Sequence, residues 1–134
     1  MTTQATGRFE MKSWDENPYQ EMEGARKLTK AAVSNRFSGD LEGESMLEYL
    51  MAYSDEDTAF FVGIELVDGR LGDRAGSFVL QQTGTYKDGT VNASWFVVPG
   101  SGTGELAGLK GEGGFIWAGH DQKSTEYRLD YDFG

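Results

Sequence analysis

The dipeptide Asp88-Gly89 constrains the fold of this chain most, because it separates two runs in which apolar and polar residues alternate. A two-residue type I′ turn needs positive φ at both central positions, and Asp-Gly is a pair that adopts them readily. The dipeptide therefore predicts an antiparallel hairpin in which Gln82 faces Trp95. Opposed residues of a hairpin share a face, so this register also predicts which side chains point inward.

One face of this hairpin is more apolar than the other, which indicates that it points into a core. The face predicted to point inward consists of Phe78, Leu80, Gln82, Gly84, Tyr86, Val91, Ala93, Trp95 and Val97. Because Gly84 and Ala93 are small, this set favours an interior with a cavity over one that side chains fill completely.

The rest of the chain predicts a single all-β domain over residues 1–134, with nineteen glycines, two prolines and apolar residues at every second position. Eight strands in up-and-down order favour a closed antiparallel β-barrel of the lipocalin-like kind. The stretch Asp15–Lys27 is expected to be a loop over one mouth, and Gly104–Leu109 a helical turn. The strands are expected at Ala5–Trp14, Leu28–Ser38, Leu41–Tyr53, Thr58–Leu71, Arg74–Tyr86, Thr90–Pro99, Gly113–Gly119 and Ser124–Phe133.

Two placements of Glu65 remain open, because they depend on the length of the turn at Gly72-Asp73. A two-residue loop places Glu65 inside, opposite Leu80 and beside Gln82. A loop one residue longer places Glu65 in solvent, and hydrophobicity alone favours this second register. In the first register an apolar row faces outward and needs a cover, which a subunit interface would supply. That row is Phe60, Val62, Ile64 and Leu66.

A cavity lined in this way has one candidate for chemistry, the carboxyl group of Glu65. Apolar surroundings raise the pKa of a carboxyl group, so an inward Glu65 is the candidate catalytic acid–base of an isomerase or cyclase. Gln82 and the indole N–H of Trp95 are candidates to hold it or to orient a ligand. The alternative is a hydrogen-bonded core acid with no chemical task. The predicted ligand-lining residues are Tyr49, Phe78, Leu80, Gln82, Trp95, Tyr127 and Tyr131.

Charge and composition argue against several other kinds of protein. The formal net charge of −10 repels nucleic acid and anionic lipid. No apolar run is long enough for a signal peptide or a membrane span, and cysteine is absent, so we expect a cytoplasmic protein. The single histidine, His120, is expected in a surface loop. We therefore expect no metal and no cofactor, since no group of metal-ligating residues and no phosphate-binding motif is present.

Several segments together resemble a bacterial family known as domain of unknown function 3224: FEMKSWDENPY, FSGDLEGES, EYLMAY, FVGIELVDGRLGDRAGSFVLQQTG and VVPGSGTGELAGLKGEGGF. That family is similar to the allene oxide cyclase and dirigent barrels, which also carry a Gly-Thr-Gly turn like the one at 102–104. The resemblance implies an eight-stranded antiparallel barrel that forms oligomers. Related barrels cyclise or couple hydrophobic small molecules inside the cavity.

Three functional hypotheses follow from the sequence. The first is a barrel that binds a small hydrophobic molecule and acts on it as an isomerase or cyclase. The second is a carrier with the same cavity and no chemistry. The third is a filled barrel that acts through its oligomeric surface. In each case we expect a homo-oligomer, a dimer or trimer, without a nucleic acid or membrane partner.

Overall fold

The computed structural model describes residues 2–118 and 124–133, and its strands close into one antiparallel barrel. Each strand pairs with the next along the chain, and β8 pairs with β1, as predicted for an up-and-down barrel. The predicted last residue of β7, Gly119, and the loop that holds His120 lie outside the described residues. The strands are β1 (Thr3–Glu21), β2 (Lys27–Gly39), β3 (Leu41–Asp55), β4 (Thr58–Leu71), β5 (Arg74–Lys87), β6 (Thr90–Val97), β7 (Lys110–Ala118) and β8 (Thr125–Asp132).

Both predicted hairpin turns have two residues. Asp88 and Gly89 have φ angles of 50° and 83°, which suits a type I′ turn, and Gln82 lies opposite Trp95 as predicted. Gly72 has φ 63°, and the residues that flank Gly72-Asp73 pair with each other. A type II′ turn requires glycine at this first central position.

The turn at Gly72-Asp73 decides between the two registers of β4. Glu65 lies opposite Leu80, with its side chain fully buried, so the inward placement is confirmed. The register favoured by hydrophobicity, with Ile64 and Leu66 in the interior, is wrong because the closed two-residue loop leaves no room for a shift. Ile64 is 52% exposed.

The stretch predicted to be a loop over the mouth, Asp15–Lys27, is largely strand. β1 continues to Glu21, which pairs with Lys27 at the start of β2. β1 pairs with β8 only over Thr3–Phe9, so its later part has β2 as a neighbour on one side. An edge of this kind accepts Pro18, which has no N–H to donate to a second neighbour.

The barrel is closed at one end and open at the other. A 3-10 turn, Gly104–Leu106, lies in the predicted helical segment and buries Leu106 completely. Thr103 holds this turn against β5, because its hydroxyl accepts the backbone N–H of Ser77 at 3.0 Å. At the open end β1 continues to Glu21, well beyond Phe9, the last residue of β1 that pairs with a described residue of β8.

We predict that Gly72→Ala lowers the free energy of unfolding by about 1–2 kcal/mol, since an alanine in a left-handed conformation carries that strain. The effect is conformational, because the nearest atom to an added Cβ is the Tyr131 hydroxyl at 3.7 Å. The measurement is urea unfolding of the native chain and the variant. Asp73→Ala, at the exposed second position of the turn, is the control and should change stability by no more than about 0.5 kcal/mol. Equal losses in the two variants would contradict a type II′ turn.

Candidate functional site

A cavity of about 670 Å³ occupies the open end of the barrel, and we call it the mouth cavity. Its volume falls in the range of small-molecule sites. Aromatic side chains are the largest group in its wall, and methionine and aliphatic side chains from β1, β2, β3 and β6 complete the apolar part. The aromatic residues are Phe9, Trp14, Tyr49, Tyr53, Phe61, Tyr86, Phe115 and Trp117.

The polar residues that border the mouth cavity are Glu16, Asn35, Glu56 and Thr125. Glu16 is held in place by neighbouring donors: the Tyr53 hydroxyl and the Thr29 hydroxyl each donate to its Oε2 at 2.7 Å, and the Trp14 indole donates to its Oε1 at 3.1 Å. Within the described chain, no lysine, arginine or histidine borders the cavity. Its ionisable wall groups are therefore acids and tyrosines.

A buried hydrogen-bonded group, the Glu65 cluster, lies beside the mouth cavity and consists of Asn35, Ser45, Tyr49, Glu65 and Gln82. Gln82 Nε2 donates to Glu65 Oε1 at 2.6 Å. Ser45 Oγ and Asn35 Nδ2 donate to Glu65 Oε2 at 2.5 Å and 3.2 Å. The Tyr49 hydroxyl donates to Gln82 Oε1 at 2.8 Å. The cluster thus joins β2, β3, β4 and β5 across the interior.

Burial raises the pKa of Glu65, and the hydrogen bonds from Ser45, Asn35 and Gln82 offset this only in part. Burial, with the nearby charge of Glu65, also raises the pKa of Tyr49. Tyr49 therefore remains a neutral hydroxyl donor at physiological pH. Glu65 is a carboxyl group whose proton is held to higher pH than usual.

Glu65 does not itself border the mouth cavity. Asn35, Tyr49 and Leu47 border it, and Glu65 lies behind them. The carboxylate accepts three donors, so its contacts orient the groups of the wall. Asn35 and Tyr49 therefore separate the acid from the cavity.

The structure separates the predicted ligand-lining residues. Tyr49 borders the mouth cavity, and Gln82 joins Glu65 behind the wall. Tyr131 packs against Phe133 with ring centroids 6.0 Å apart. The others pack together in the closed half of the barrel: Phe78, Leu80, Trp95 and Tyr127.

The indole of Trp95 was a candidate partner of Glu65, but it donates instead to the backbone carbonyl of Arg128 at 3.1 Å. The Tyr127 hydroxyl accepts the backbone N–H of Leu41 at 2.9 Å and so holds the β2–β3 connection. Strand parity predicts which face a residue takes. It does not predict how far along the barrel axis the residue lies from the open end.

Two residues of the Glu65 cluster, Asn35 and Ser45, were missed by the sequence analysis. Asn35 alternates with Val33 and Phe37, and Ser45 alternates with Leu47, so each is a polar residue on an apolar face. The same pattern, a polar residue on an apolar face, made Glu65 a candidate. The two residues are also direct partners across β2 and β3.

Other kinds of site find no support in the described part of the chain. Residues 2–118 and 124–133 contain no group of three histidine, cysteine, aspartate or glutamate side chains placed to hold a metal ion. The same ranges contain no helix with the length and apolar character needed to cross a membrane.

Comparison with known proteins gives a family model and a solved structure. The model described as "Protein of unknown function (DUF3224)" matches residues 5–131. A crystal structure of a DUF3224 protein of unknown function from Shewanella oneidensis MR-1 is similar, with a TM-score of 0.84 and 34% sequence identity. The alignment covers 100% of this chain and 99% of that one. No curated protein matches.

We predict that the stability difference between Glu65→Gln and the native chain depends on pH. Above the ordinary glutamate pKa of 4.5 the unfolded chain ionises while folded Glu65 keeps its proton, because its pKa is raised. The native chain therefore loses stability relative to Glu65→Gln as pH rises from about 4.5 to the folded-state pKa, by at most about 1.4 kcal/mol per pH unit.

The measurement is urea unfolding of both chains from pH 4 to pH 8. Glu10→Gln is the matched control, since Glu10 is an exposed carboxylate on the outer face of β1, away from β3 and β4. A stability difference for Glu65→Gln that does not change with pH would contradict the raised pKa.

Proposed function

We propose that this chain, which belongs to the DUF3224 family of proteins of unknown function, binds a small, mainly apolar molecule in its mouth cavity. The observation that carries the proposal is the cavity itself, about 670 Å³ in volume and walled mainly by aromatic and aliphatic side chains. Pockets of this size with a few fixed polar groups are typical small-molecule sites. Reversible binding requires no chemical group other than those of this wall.

A second candidate function is an isomerase or cyclase in which Glu65 transfers the proton. The raised pKa of Glu65 favours it, because a carboxyl group that titrates nearer neutrality is suited to acid–base chemistry. The position of Glu65 behind Asn35 and Tyr49 favours binding without chemistry. We therefore propose binding as the function and keep the catalytic role of Glu65 as a prediction.

The proposal extends to ancestry and cellular location. A closed barrel of eight antiparallel strands is what a relative of the allene oxide cyclase and dirigent barrels would have, and we propose that relationship. The cysteine-free sequence fits a protein that works in the reducing cytoplasm.

We also propose that the protein is a homo-oligomer, and that copies meet through the outer face of β3 and β4. Large apolar side chains there are 48% to 73% exposed, and Met46 and Leu50 pair directly with Leu66 and Val62. A contiguous apolar surface of this kind marks a protein interface. A second copy suits it, because the same flat sheet face is present on every chain. We call this set the outer apolar patch: Met46, Leu50, Phe60, Val62, Ile64 and Leu66.

We predict that the native chain enhances the fluorescence of N-phenyl-1-naphthylamine, a neutral apolar probe, and that Val33→Trp weakens its binding by about tenfold or more. Val33 borders the mouth cavity, so an indole there takes the space of the probe. A tenfold loss corresponds to about 1.4 kcal/mol.

The matched control is Ala32→Trp, which adds the same side chain one residue away on the outer face of β2. Circular dichroism checks that both variants fold. The absence of enhancement with native protein, or equal losses in the two variants, would sink the proposal.

We predict that the native chain sediments as a dimer or trimer and that Ile64→Arg sediments as a monomer. Ile64 lies in the outer apolar patch, and an arginine there places a charge inside the contact. The readout is sedimentation velocity at several concentrations.

Gln4→Arg is the control, since it adds the same charge to an exposed position on β1, across the barrel. Because Ile64 points away from the interior, Ile64→Arg should still bind the probe. A monomeric native protein would refute the interface.

A further inference from the structure

The amide of Asn35 has a fixed orientation. Its Nδ2 donates to Glu65 Oε2 at 3.2 Å, and Ser45 and Gln82 donate to the same carboxyl group. The nitrogen end of the amide is thus the end that faces the carboxyl group. The oxygen end of the amide therefore points away from Glu65.

The oxygen of this amide, Asn35 Oδ1, is buried and has no hydrogen-bond partner in the described chain. The Asn35 residue is 4% exposed, yet it borders the mouth cavity, whereas Glu65 does not. Since the nitrogen end faces Glu65, the unpaired carbonyl is the other end of the amide, in a residue that borders the cavity. Buried polar atoms are normally paired, so an acceptor in this position calls for a donor.

The charges around the cavity limit the kinds of ligand that can supply that donor. Glu16 and Glu56 border the mouth cavity, and the described residues of its wall include no cationic side chain. A ligand carboxylate placed against this described part of the wall would lose its hydration and would meet acidic groups without gaining a partner charge. Neutral molecules avoid this cost, and aromatic walls also attract cations.

We propose that the ligand is an apolar alcohol, phenol or amine, neutral or cationic, that donates an O–H or N–H hydrogen bond to Asn35 Oδ1. This inference rests on the proposed binding function and names the ligand class of the same site. A ligand that donates a hydrogen bond pairs this carbonyl, whereas a ligand without a donor leaves it unpaired, so the affinity of the second ligand is lower. Asn35 thus selects among apolar molecules of similar size.

The test compares three probes of one ring system by isothermal titration calorimetry at neutral pH: 2-naphthol, 2-fluoronaphthalene and 2-naphthoate. The association constant of each probe is divided by the probe's partition coefficient between octanol and water. For 2-naphthoate, the partition coefficient is that of the carboxylic acid form. We expect 2-naphthol to exceed 2-fluoronaphthalene by about fivefold or more on this scale. We expect 2-naphthoate to be the weakest of the three. Equal values for the first two, or tight binding of 2-naphthoate, would overturn the inference.

Asn35→Leu provides a second test, because the leucine side chain has a similar size and no carbonyl group. The advantage of 2-naphthol should disappear in this variant while 2-fluoronaphthalene still binds. Asn92→Leu, on the outer face of β6, makes the same change away from the cavity and should keep the advantage. If Asn35→Leu does not fold, the side-chain carboxamide signal of Asn35 in native protein must shift with 2-naphthol more than with 2-fluoronaphthalene, and equal shifts refute the contact.

The outcomes separate this inference from the proposed function. If N-phenyl-1-naphthylamine and both neutral naphthalenes fail to bind native protein, the binding function fails and the ligand class fails with it. If these probes bind but donors have no advantage, the cavity is a binding site and only the role of Asn35 is refuted.

Discussion

Each strand of a closed barrel has an inner and an outer face. A two-residue turn fixes which residues of the strand point to each face. The turn at Gly72-Asp73 therefore places a glutamate inside and a row of large apolar side chains outside, against the preference of hydrophobicity alone. Everything that makes this barrel a candidate binding protein depends on that register. The opposite register would expose Glu65 and remove the cluster that orients Asn35.

The interior of the barrel divides into a closed half and an open half, which are packed differently. The closed half is packed with Phe78, Leu80, Trp95 and Tyr127, and the turn Gly104–Leu106 seals it. The open half keeps its cavity because aromatic rings line the wall without filling it, and the part of β1 beyond Phe9 extends that wall. The Glu65 cluster lies beside this cavity, where it satisfies most of its own polar atoms and leaves the carbonyl of Asn35 free.

Hydrogen bonding and burial act in opposite directions on Glu65. Three donors favour the ionised carboxylate, while the loss of solvent favours the neutral acid and raises its pKa. Such a group stabilises a particular arrangement of its neighbours more than it stabilises the fold as a whole. For this protein, that arrangement holds the amide of Asn35 with its nitrogen on Glu65 and its oxygen unpaired.

Much of the fold could be predicted from the sequence, because the properties of neighbouring residues determine it. Alternation predicted the strands, Asp88-Gly89 fixed one hairpin, and the glycine of Gly72-Asp73 carried the type II′ signal that settles the other. The same parity argument, applied to Asn35 and Ser45, would have placed both on the inner face with Glu65. The position of the cavity could not be read, because parity assigns a face and not a height along the barrel. Only the tertiary structure decided that Tyr49 meets the cavity while Trp95 and Tyr127 are packed away, since strand lengths, the extension of β1 and the sealing turn act together across the whole barrel.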